Sequence, residues 1–186
     1  MKRILLKIIK YIYFFKAKCF FWLYGPYGVC DLIKTAPYPF IQPLLIKYGA
    51  KIGKNCVIDT GLQLHRPDRH LPFKNLTIGD SVYIGHNTII DLTTEVEIDS
   101  YTALGAFCQI WTHTGDWTYN KDDEKEKINP VNIGKACIIY SGSIISQGVS
   151  IGNYVRVGAG SVVLKNINEY EFVAGIPAKV IKNRKF

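Results

Sequence analysis

Aliphatic residues recur every six positions over most of the chain. An α-helix repeats its apolar positions about every 3.6 residues and a half-buried strand every two, so neither element explains this period. A six-residue period instead predicts a solenoid, in which each coil buries its apolar edge against its neighbours. The period is carried by Ile52, Ile58 and Leu64, by Ile78, Ile84 and Ile90, after a two-residue slip by Ile98, Leu104 and Ile110, and then by Ile133, Ile139, Ile145, Ile151, Val157 and Val163.

The residues around these aliphatic positions suit tight corners. Small or β-branched residues often stand four places later. With one flat face per six residues and three faces per coil, the pattern predicts a triangular prism of about five coils between residues 52 and 168. Insertions at 65–77 and 114–132 interrupt it. Gly or Asp, which tolerate the backbone angles of a tight turn, often follow the aliphatic residue, as at Gly53, Asp59, Gly79, Gly85, Asp91, Asp99, Gly105, Gly134, Gly152 and Gly158.

Residues 1–24 are rich in Ile, Leu, Phe, Tyr and Trp but are punctuated by lysines. A spanning helix is disfavoured because no stretch of about 18 uncharged apolar residues occurs there. The pattern predicts an amphipathic helix that lies in a membrane interface with its lysines at anionic headgroups. Packing of this helix on a partner subunit is the alternative. The predicted lipid-facing residues are Ile4, Leu5, Ile8, Ile9, Ile12 and Phe15.

Glycines and prolines follow this helix. Gly25, Pro26 and Gly28 predict its end, and Pro37, Pro39 and Pro43 predict an extended or turning segment. We therefore divide the chain into residues 1–49, an N-terminal helix and extended segment associated with a membrane, and residues 50–186, a β-helix domain with a C-terminal tail.

The net charge of +8 is concentrated at the two ends of the chain. Ten basic residues and no acid occur in 1–18 and 179–186 together, which leaves the remainder slightly acidic. No basic stripe covers the body, so nucleic acid is not an expected partner. The five cysteines are widely spaced without a Cys-x-x-Cys pair, and we expect neither a disulfide framework nor a zinc site. A reducing, cytoplasmic setting is the default.

Residues 50–182 resemble the hexapeptide-repeat acetyltransferases, a group that includes maltose, galactoside and polysaccharide O-acetyltransferases. The resemblance implies an all-β fold, a left-handed parallel β-helix with a short N-terminal helical segment. It also implies a homotrimer with active sites between adjacent prisms, and acetyl-CoA as co-substrate. Its motifs are Ile-Gly-Asp-Ser-Val-Tyr (78–83), Ile-Gly-Asn-Tyr-Val-Arg (151–156), Val-Gly-Ala-Gly-Ser-Val-Val (157–163) and Val-Ala-Gly-Ile-Pro-Ala-Lys-Val-Ile (173–181).

Members of this family use a histidine just before a protruding loop as general base on the acceptor hydroxyl. An imidazole suits this task because it can take a proton near neutral pH. His113 holds that place here. Many relatives have the histidine directly before the aspartate, where this chain has Gly115; His113 stands two residues earlier, which keeps it on the same side of an extended strand. The alternative is that His113 only caps the loop and the base has been lost.

Acceptor binding is expected from residues near this histidine and from one earlier position. Asp116 and Trp117 follow His113, and an aromatic face beside a carboxylate suits a sugar ring and its hydroxyls. Asn87 stands one place after the position where some relatives carry an acceptor-binding asparagine. For His65 and His70, in the first insertion, an acceptor role and plain exposure stay open.

The resemblance also implies where the donor lies. In relatives the pantetheine arm of coenzyme A runs against backbone groups of the last coils, which here correspond to Gly142, Ser143, Gly160 and Ser161. Lys165 and Lys179 would then meet its phosphates as mobile charges. No metal is expected. A carbonic-anhydrase relative with this prism would need three suitably placed histidines to bind zinc, and the sequence offers no convincing set.

We therefore predict an acyl-CoA-dependent O-acetyltransferase that acts on a sugar or glycan hydroxyl in the synthesis of cell-surface polysaccharide or lipopolysaccharide. It would sit at the cytoplasmic face of the cell membrane, in peripheral contact through residues 1–24. Two alternatives stay open. One is transfer to an amino group of a nucleotide sugar, and the other is a non-catalytic trimeric scaffold.

Overall fold

The computed structural model describes residues 2–115 and 126–184 of the chain. Three helices come first, and short strands follow in repeated sets of three. The helices are α1 (Lys2–Tyr24), α2 (Pro26–Thr35) and α3 (Tyr38–Lys47). The first three coils consist of β1 (Lys51–Ile52), β2 (Val57–Ile58) and β3 (Gln63–His65), then β4 (Leu76–Ile78), β5 (Tyr83–Ile84) and β6 (Ile89–Asp91), then β7 (Val96–Ile98), β8 (Ala103–Leu104) and β9 (Gln109–Ile110).

A hairpin separates these coils from the last two. It pairs β10 (His113–Thr114) with β11 (Lys127–Ile128) in antiparallel fashion. The last coils are β12 (Val131–Ile133), β13 (Ile138–Ile139) and β14 (Ile144–Ile145), then β15 (Ser150–Ile151), β16 (Arg156–Val157) and β17 (Val162–Val163). The antiparallel strands β18 (Glu171–Gly175) and β19 (Ala178–Asn183) close the structure.

Equivalent strands of successive coils form three parallel sheets, which are the three faces of a prism. Sheet A orders its strands β1-β4-β7-β12-β15, and sheet C orders them β3-β6-β9-β14-β17. Sheet B runs β2-β5-β8-β13-β16-β18 and ends with β19. This arrangement confirms the predicted parallel β-helix of five coils, and the two predicted insertions interrupt it after β3 and after β9.

The aliphatic residues of the six-residue period fill the inside of the prism. Their side chains are buried because every paired strand places the same hexad position opposite its neighbour, as in the pairs Ile84↔Leu104 and Leu104↔Ile139. Successive aliphatics therefore stack in contact along the prism axis. The buried members are Ile58, Leu64, Ile78, Ile84, Ile90, Ile98, Leu104, Ile110, Ile133, Ile139, Ile145, Ile151, Val157 and Val163.

The corner between sheets B and C requires left-handed backbone angles. Residues at this corner have positive φ, including Asn87 at 56°, Gly142 at 74° and Gly160 at 65°. Glycine adopts this region at little cost, whereas asparagine is one of the few other residues that tolerates it. We call this edge of the prism the B–C corner. The opposite edge of sheet C, where its strands end and both insertions leave the prism, is the C–A corner.

The prediction of an extended or turning segment at Pro37–Pro43 is wrong, because the helix α3 covers most of it. Pro37 precedes the helix and Pro39 lies in its first turn, where a missing N–H costs nothing. Only Pro43 removes a hydrogen bond from the helix interior. Burial of one face of α3 against the first coil offsets that loss; the buried residues are Phe40, Ile41, Leu44 and Leu45.

The three helices cover the N-terminal end of the prism. α2 and α3 share a continuous buried cluster with β2 and β3, while α1 packs one face against them through Tyr13, Phe14 and Phe21. The opposite face of α1 is exposed and apolar. Among the described residues, no helix combines the length and the apolar character needed to cross a membrane.

We predict that Ile84→Ala lowers the free energy of unfolding by about 3 kcal/mol, because it removes a fully buried side chain from the middle of the stack. Ile181→Ala, at a site that is 58% exposed, is the matched control and should change stability by less than about 1 kcal/mol. Denaturant unfolding at a fixed protein concentration measures both. Equal losses from the two variants would contradict the stacked core.

Candidate active site

A histidine and an aspartate meet at the C–A corner, in the coils between the two insertions. The strand pairing places His65 beside Asp91, and the next pair in sheet C, Ile90↔Ile110, brings Trp111 into the same column. His113 follows two residues later, at the start of β10. The repeat register therefore gathers side chains that are far apart in the sequence.

Asp91 holds His113 by a direct hydrogen bond. The Nδ1 atom of His113 lies 2.7 Å from Oδ2 of Asp91. The Asp91 side chain is fully buried, and that of His113 is 10% exposed. Because an ionised carboxylate only accepts hydrogen bonds, Nδ1 of His113 must carry the hydrogen. In the neutral form of the ring, the other nitrogen, Nε2, then has the lone pair.

Neighbouring threonines satisfy the buried Asp91 carboxylate. The backbone N–H of Thr112 donates to Oδ2 at 3.0 Å, and the Thr93 hydroxyl donates to Oδ1 at 3.0 Å. Burial by itself raises the pKa of Asp91, but the hydrogen bonds from His113, Thr112 and Thr93 outweigh it and bring the pKa below its usual value. Asp91 is therefore a buried anion at neutral pH.

His65 and Trp111 complete the cluster on its exposed side. The rings of His65 and His113 stack with centroids 5.7 Å apart and planes 5° apart. His65 Nδ1 lies 3.2 Å from Asp91 Oδ1, and its side chain is 47% exposed. Trp111 meets both imidazoles edge to face. A cleft of about 220 Å³ opens beside His65 and Trp111, against α2.

This arrangement fits proton abstraction from a hydroxyl. A buried carboxylate that fixes the tautomer and orientation of an imidazole also stabilises the imidazolium that forms when the ring takes a proton. His113 can therefore act as general base through Nε2. A loop-capping role alone would not explain a fully buried charge behind the ring.

The same three side chains are the described residues that could hold a metal ion. One ligand atom each from His65, Asp91 and His113 lies within 4.8 Å of the others. Two histidines and a carboxylate are a known set for divalent transition metals. The 2.7 Å contact between His113 and Asp91 is, however, a direct hydrogen bond, which accounts for their proximity without an ion.

The two lysines predicted to meet the donor lie together. Lys165 and Lys179 line one cleft of about 270 Å³, where the last strand of sheet C meets the β18–β19 hairpin. β14 pairs with β9 on one side and with β17 on the other. The residues that follow β9 and β17, Trp111 and Leu164, therefore lie in one column, and Leu164 is next to Lys165. Two coils separate Trp111 from Leu164, which is about 10 Å at the spacing of paired strands.

The other predicted donor and acceptor residues lie elsewhere. Gly142 and Gly160 are exposed on the B–C corner, as is Asn87. Asn87 precedes β6 and Asp91 ends it, so the two residues lie at opposite ends of this strand. Ser143 and Ser161 are buried, and their hydroxyls donate to the Gly158 carbonyl inside the prism at 2.9 and 2.6 Å. Only the backbone of these two serines could contact a donor.

Two predicted acceptor residues, Asp116 and Trp117, lie outside the described residues. The structure in turn identifies Asp91, which the sequence pattern had assigned to a tight turn. A signal was present, because aligning the hexads of neighbouring coils places Asp91 directly between His65 and Trp111. His70, by contrast, lies on an exposed loop of the first insertion.

Comparison with known proteins finds relatives over about three quarters of the chain. The family described as bacterial transferase hexapeptide (six repeats) matches residues 130–165. The putative colanic acid biosynthesis acetyltransferase WcaF of Escherichia coli K12 is 29% identical over 141 residues, which span 76% of this chain and 73% of WcaF. A serine acetyltransferase of Staphylococcus epidermidis is 32% identical over 143 residues, 77% of this chain and 51% of that enzyme.

Solved structures share the fold. The hexapeptide-repeat containing acetyltransferase VCA0836 from Vibrio cholerae superposes with a TM-score of 0.76 at 20% identity, over 87% of this chain and 89% of that one. A galactoside acetyltransferase in complex with coenzyme A gives a TM-score of 0.73 at 21% identity, over 86% and 79% of the two chains. The predicted left-handed parallel β-helix is confirmed by this shared fold. The chain thus carries the repeats of the bacterial transferase hexapeptide family over residues 130–165, its relatives are acetyltransferases, and it is an acyl-CoA-dependent acyltransferase.

Proposed function

We propose that this acetyltransferase transfers an acetyl group from acetyl-CoA to a sugar hydroxyl, in the synthesis of cell-surface polysaccharide or lipopolysaccharide. The observation that carries the proposal is the hydrogen bond from His113 to the buried Asp91, which leaves Nε2 free to accept a proton. The relative WcaF, named for colanic acid biosynthesis, supports a polysaccharide acceptor.

The reaction needs no covalent acyl-enzyme. Nε2 of His113 takes the hydroxyl proton while the acceptor oxygen attacks the thioester carbonyl, and the tetrahedral intermediate then expels the coenzyme A thiolate. The imidazolium returns its proton to that sulfur, so the products are the acetyl ester and free coenzyme A. Asp91 stays ionised throughout and stabilises the imidazolium by charge.

The donor is proposed to lie along the C–A corner. Its phosphates would meet Lys165 and Lys179 in the cleft at the end of the prism, and its pantetheine arm would extend toward His113. The distance of about 10 Å from Leu164 to Trp111 along the column suits an extended arm. Lysine serves there as a point charge that follows a mobile phosphate.

The acceptor sugar is proposed to occupy the cleft beside α2. This cleft presents the Trp111 ring together with Asp31, Lys34 and Gln63. An aromatic face packs on the apolar side of a sugar ring, and the polar groups exchange hydrogen bonds with its hydroxyls. The acceptor would thereby lie next to His65 and within reach of His113.

In a homotrimer, the B–C corner of one prism could lie against the C–A corner of the next. Gly142, Gly160 and Asn87 are exposed on the B–C corner, whereas His113 is on the C–A corner of the same prism. If adjacent prisms meet along these edges, the backbone of one copy lines the donor groove of the next. Glycine at these positions lets a ligand approach closely, since a Cβ at Gly160 would meet no atom of its own chain within 4 Å.

Peripheral contact with the cytoplasmic face of the cell membrane is proposed for α1. Of the residues predicted to face lipid, Ile4, Leu5, Ile8, Ile12 and Phe15 are exposed and Ile9 is partly covered. Exposed apolar side chains on a lysine-rich helix are typical of a helix that lies in the interface. Such contact would hold the enzyme near lipid-linked sugars.

Transfer to an amino group is the second candidate. The N-acyltransferase AntD from Bacillus cereus, solved with dTDP and coenzyme A, superposes with a TM-score of 0.63 at 25% identity, over 77% of this chain and 89% of AntD. An assay that compares hydroxyl and amino forms of one sugar distinguishes the two.

We predict that His113→Ala lowers the rate of acetyl transfer at least about 100-fold, because the general base is lost. Release of free thiol from acetyl-CoA in the presence of candidate glycans measures the rate. His70→Ala, which removes an exposed histidine from the first insertion, is the control and should keep the wild-type rate. Equal rates for wild type and His113→Ala would end the assignment of His113. A wild type that binds acetyl-CoA without turnover would favour a non-catalytic scaffold.

We predict that Asp91→Asn lowers kcat at least about 100-fold and leaves KM for acetyl-CoA nearly unchanged. An asparagine amide can donate to Nδ1, which moves the ring hydrogen to Nε2 and removes the base. Asp99→Asn is the matched control, since Asp99 also directly follows a buried aliphatic residue but lies after β7 on sheet A and is exposed. Comparable activity in both variants would show that Asp91 is not needed to orient His113.

We predict that the rate of acetyl transfer is unchanged after exhaustive dialysis against EDTA. The mechanism uses the His113–Asp91 hydrogen bond and no metal ion. Thiol release before and after dialysis, with metal content measured in parallel, checks this. Loss of activity that Zn²⁺ or another divalent ion restores would assign a metal to the His65–Asp91–His113 cluster instead.

A further inference from the structure

A cavity of about 630 Å³ lies between α1, α3 and β2, at the N-terminal end of the prism. Its apolar lining comes from Phe14, Tyr38, Ile46 and Ile58. Tyr38 and Ile46 are 47% and 48% exposed, so the apolar wall continues to the protein surface. The candidate active site uses none of these residues.

Two ammonium groups stand at this cavity. The Nζ atoms of Lys10 and Lys47 lie 5.4 and 4.5 Å from the centroid of the Phe14 ring. No aspartate or glutamate lines the cavity, and within residues 2–115 and 126–184 neither lysine takes part in an ion pair with a carboxylate. Both ammonium groups line one cavity, so an anion bound in it would be attracted by both.

The surroundings indicate that the anion carries an apolar chain. Lys10 lies one helical turn after Leu6 on α1, and the Leu6 side chain is 41% exposed. The cavity therefore borders exposed apolar surface of α1 as well as of α3. A water-soluble phosphate would gain nothing from the apolar wall, whereas an acyl chain would bury its surface there.

We propose that the α1–α3 cavity binds one anionic phospholipid, with its phosphate between Lys10 and Lys47 and the start of an acyl chain against Phe14, Tyr38 and Ile46. This site refines the membrane contact proposed for α1 and rests on that part of the proposed function. It does not depend on the acyl transfer reaction. Lipid binding at this position would fix the depth and orientation of α1 at the bilayer.

Vesicle binding by the full-length protein tests the site. Phosphatidylcholine vesicles with and without phosphatidylglycerol are titrated against wild type, Lys10→Gln/Lys47→Gln and Lys16→Gln/Lys18→Gln. Both double variants remove two lysine charges, but Lys16 and Lys18 do not line the cavity. We expect wild type to prefer the anionic vesicles. The cavity variant should lose at least about 10-fold more affinity than the control, because the loss of two charges reduces diffuse attraction to the same extent in both variants. Lys10→Arg/Lys47→Arg should retain binding.

Two results would overturn the proposal. Equal losses in the two glutamine variants would indicate diffuse electrostatic attraction, and equal binding to neutral and anionic vesicles would exclude a headgroup site. A second measurement compares dihexanoyl phosphatidylglycerol, below its micelle concentration, with glycerol phosphate as stabilisers against thermal unfolding. The lipid alone should raise Tm; an equal shift from glycerol phosphate would identify a soluble phosphate ligand.

Thiol release with a soluble acceptor should be the same in all variants. Failure of the lipid-site proposal is therefore distinct from failure of the acetyltransferase assignment.

Discussion

The register between coils is the constraint on which the structure depends. Each aliphatic side chain must lie against its equivalents in the coils before and after, because a coil of six-residue faces has no other apolar surface to bury against. A slip of one residue would turn the stack of Ile84, Leu104 and Ile139 out of the prism. The same register also aligns the residues that follow each strand. His65, Asp91 and Trp111 are therefore brought together by core packing, without any further interaction.

The C–A corner is where this regularity is relaxed. The chain leaves the prism after His65 and again after Ile110, so the coils there are not covered by tight turns. Asp91 holds a position that elsewhere takes a turn residue, yet it is buried beneath the hairpin that begins at His113. A buried carboxylate is costly unless it is hydrogen-bonded. Thr93, Thr112 and His113 satisfy it, and that need also fixes the imidazole.

The sequence predicted the prism well because its period repeats locally and needs no knowledge of distant contacts. The left-handed winding of the β-helix was predicted only from the family resemblance, since a six-residue period does not distinguish a left-handed from a right-handed coil. The helix α3 was missed because proline signals at Pro37 and Pro39 are equally compatible with a helix start. Asp91 was missed because its role depends on pairing across coils, and the inward direction of Ser143 and Ser161 depends on packing in the same way.

His113, the proposed base, stands two residues before the place where many members of the family have their histidine, and its contacts are compatible with that role. Gly115 lies beyond β10, outside the paired part of the hairpin, whereas His113 pairs with Ile128 and is therefore held at both its backbone and its ring. A base is effective only when its lone pair is held in a fixed direction. A histidine at 115 would lack the Asp91 contact unless the hairpin moved. In the proposed mechanism Asp91 and His113 act as one unit, in which the buried carboxylate of the preceding coil orients a base two residues from its usual place.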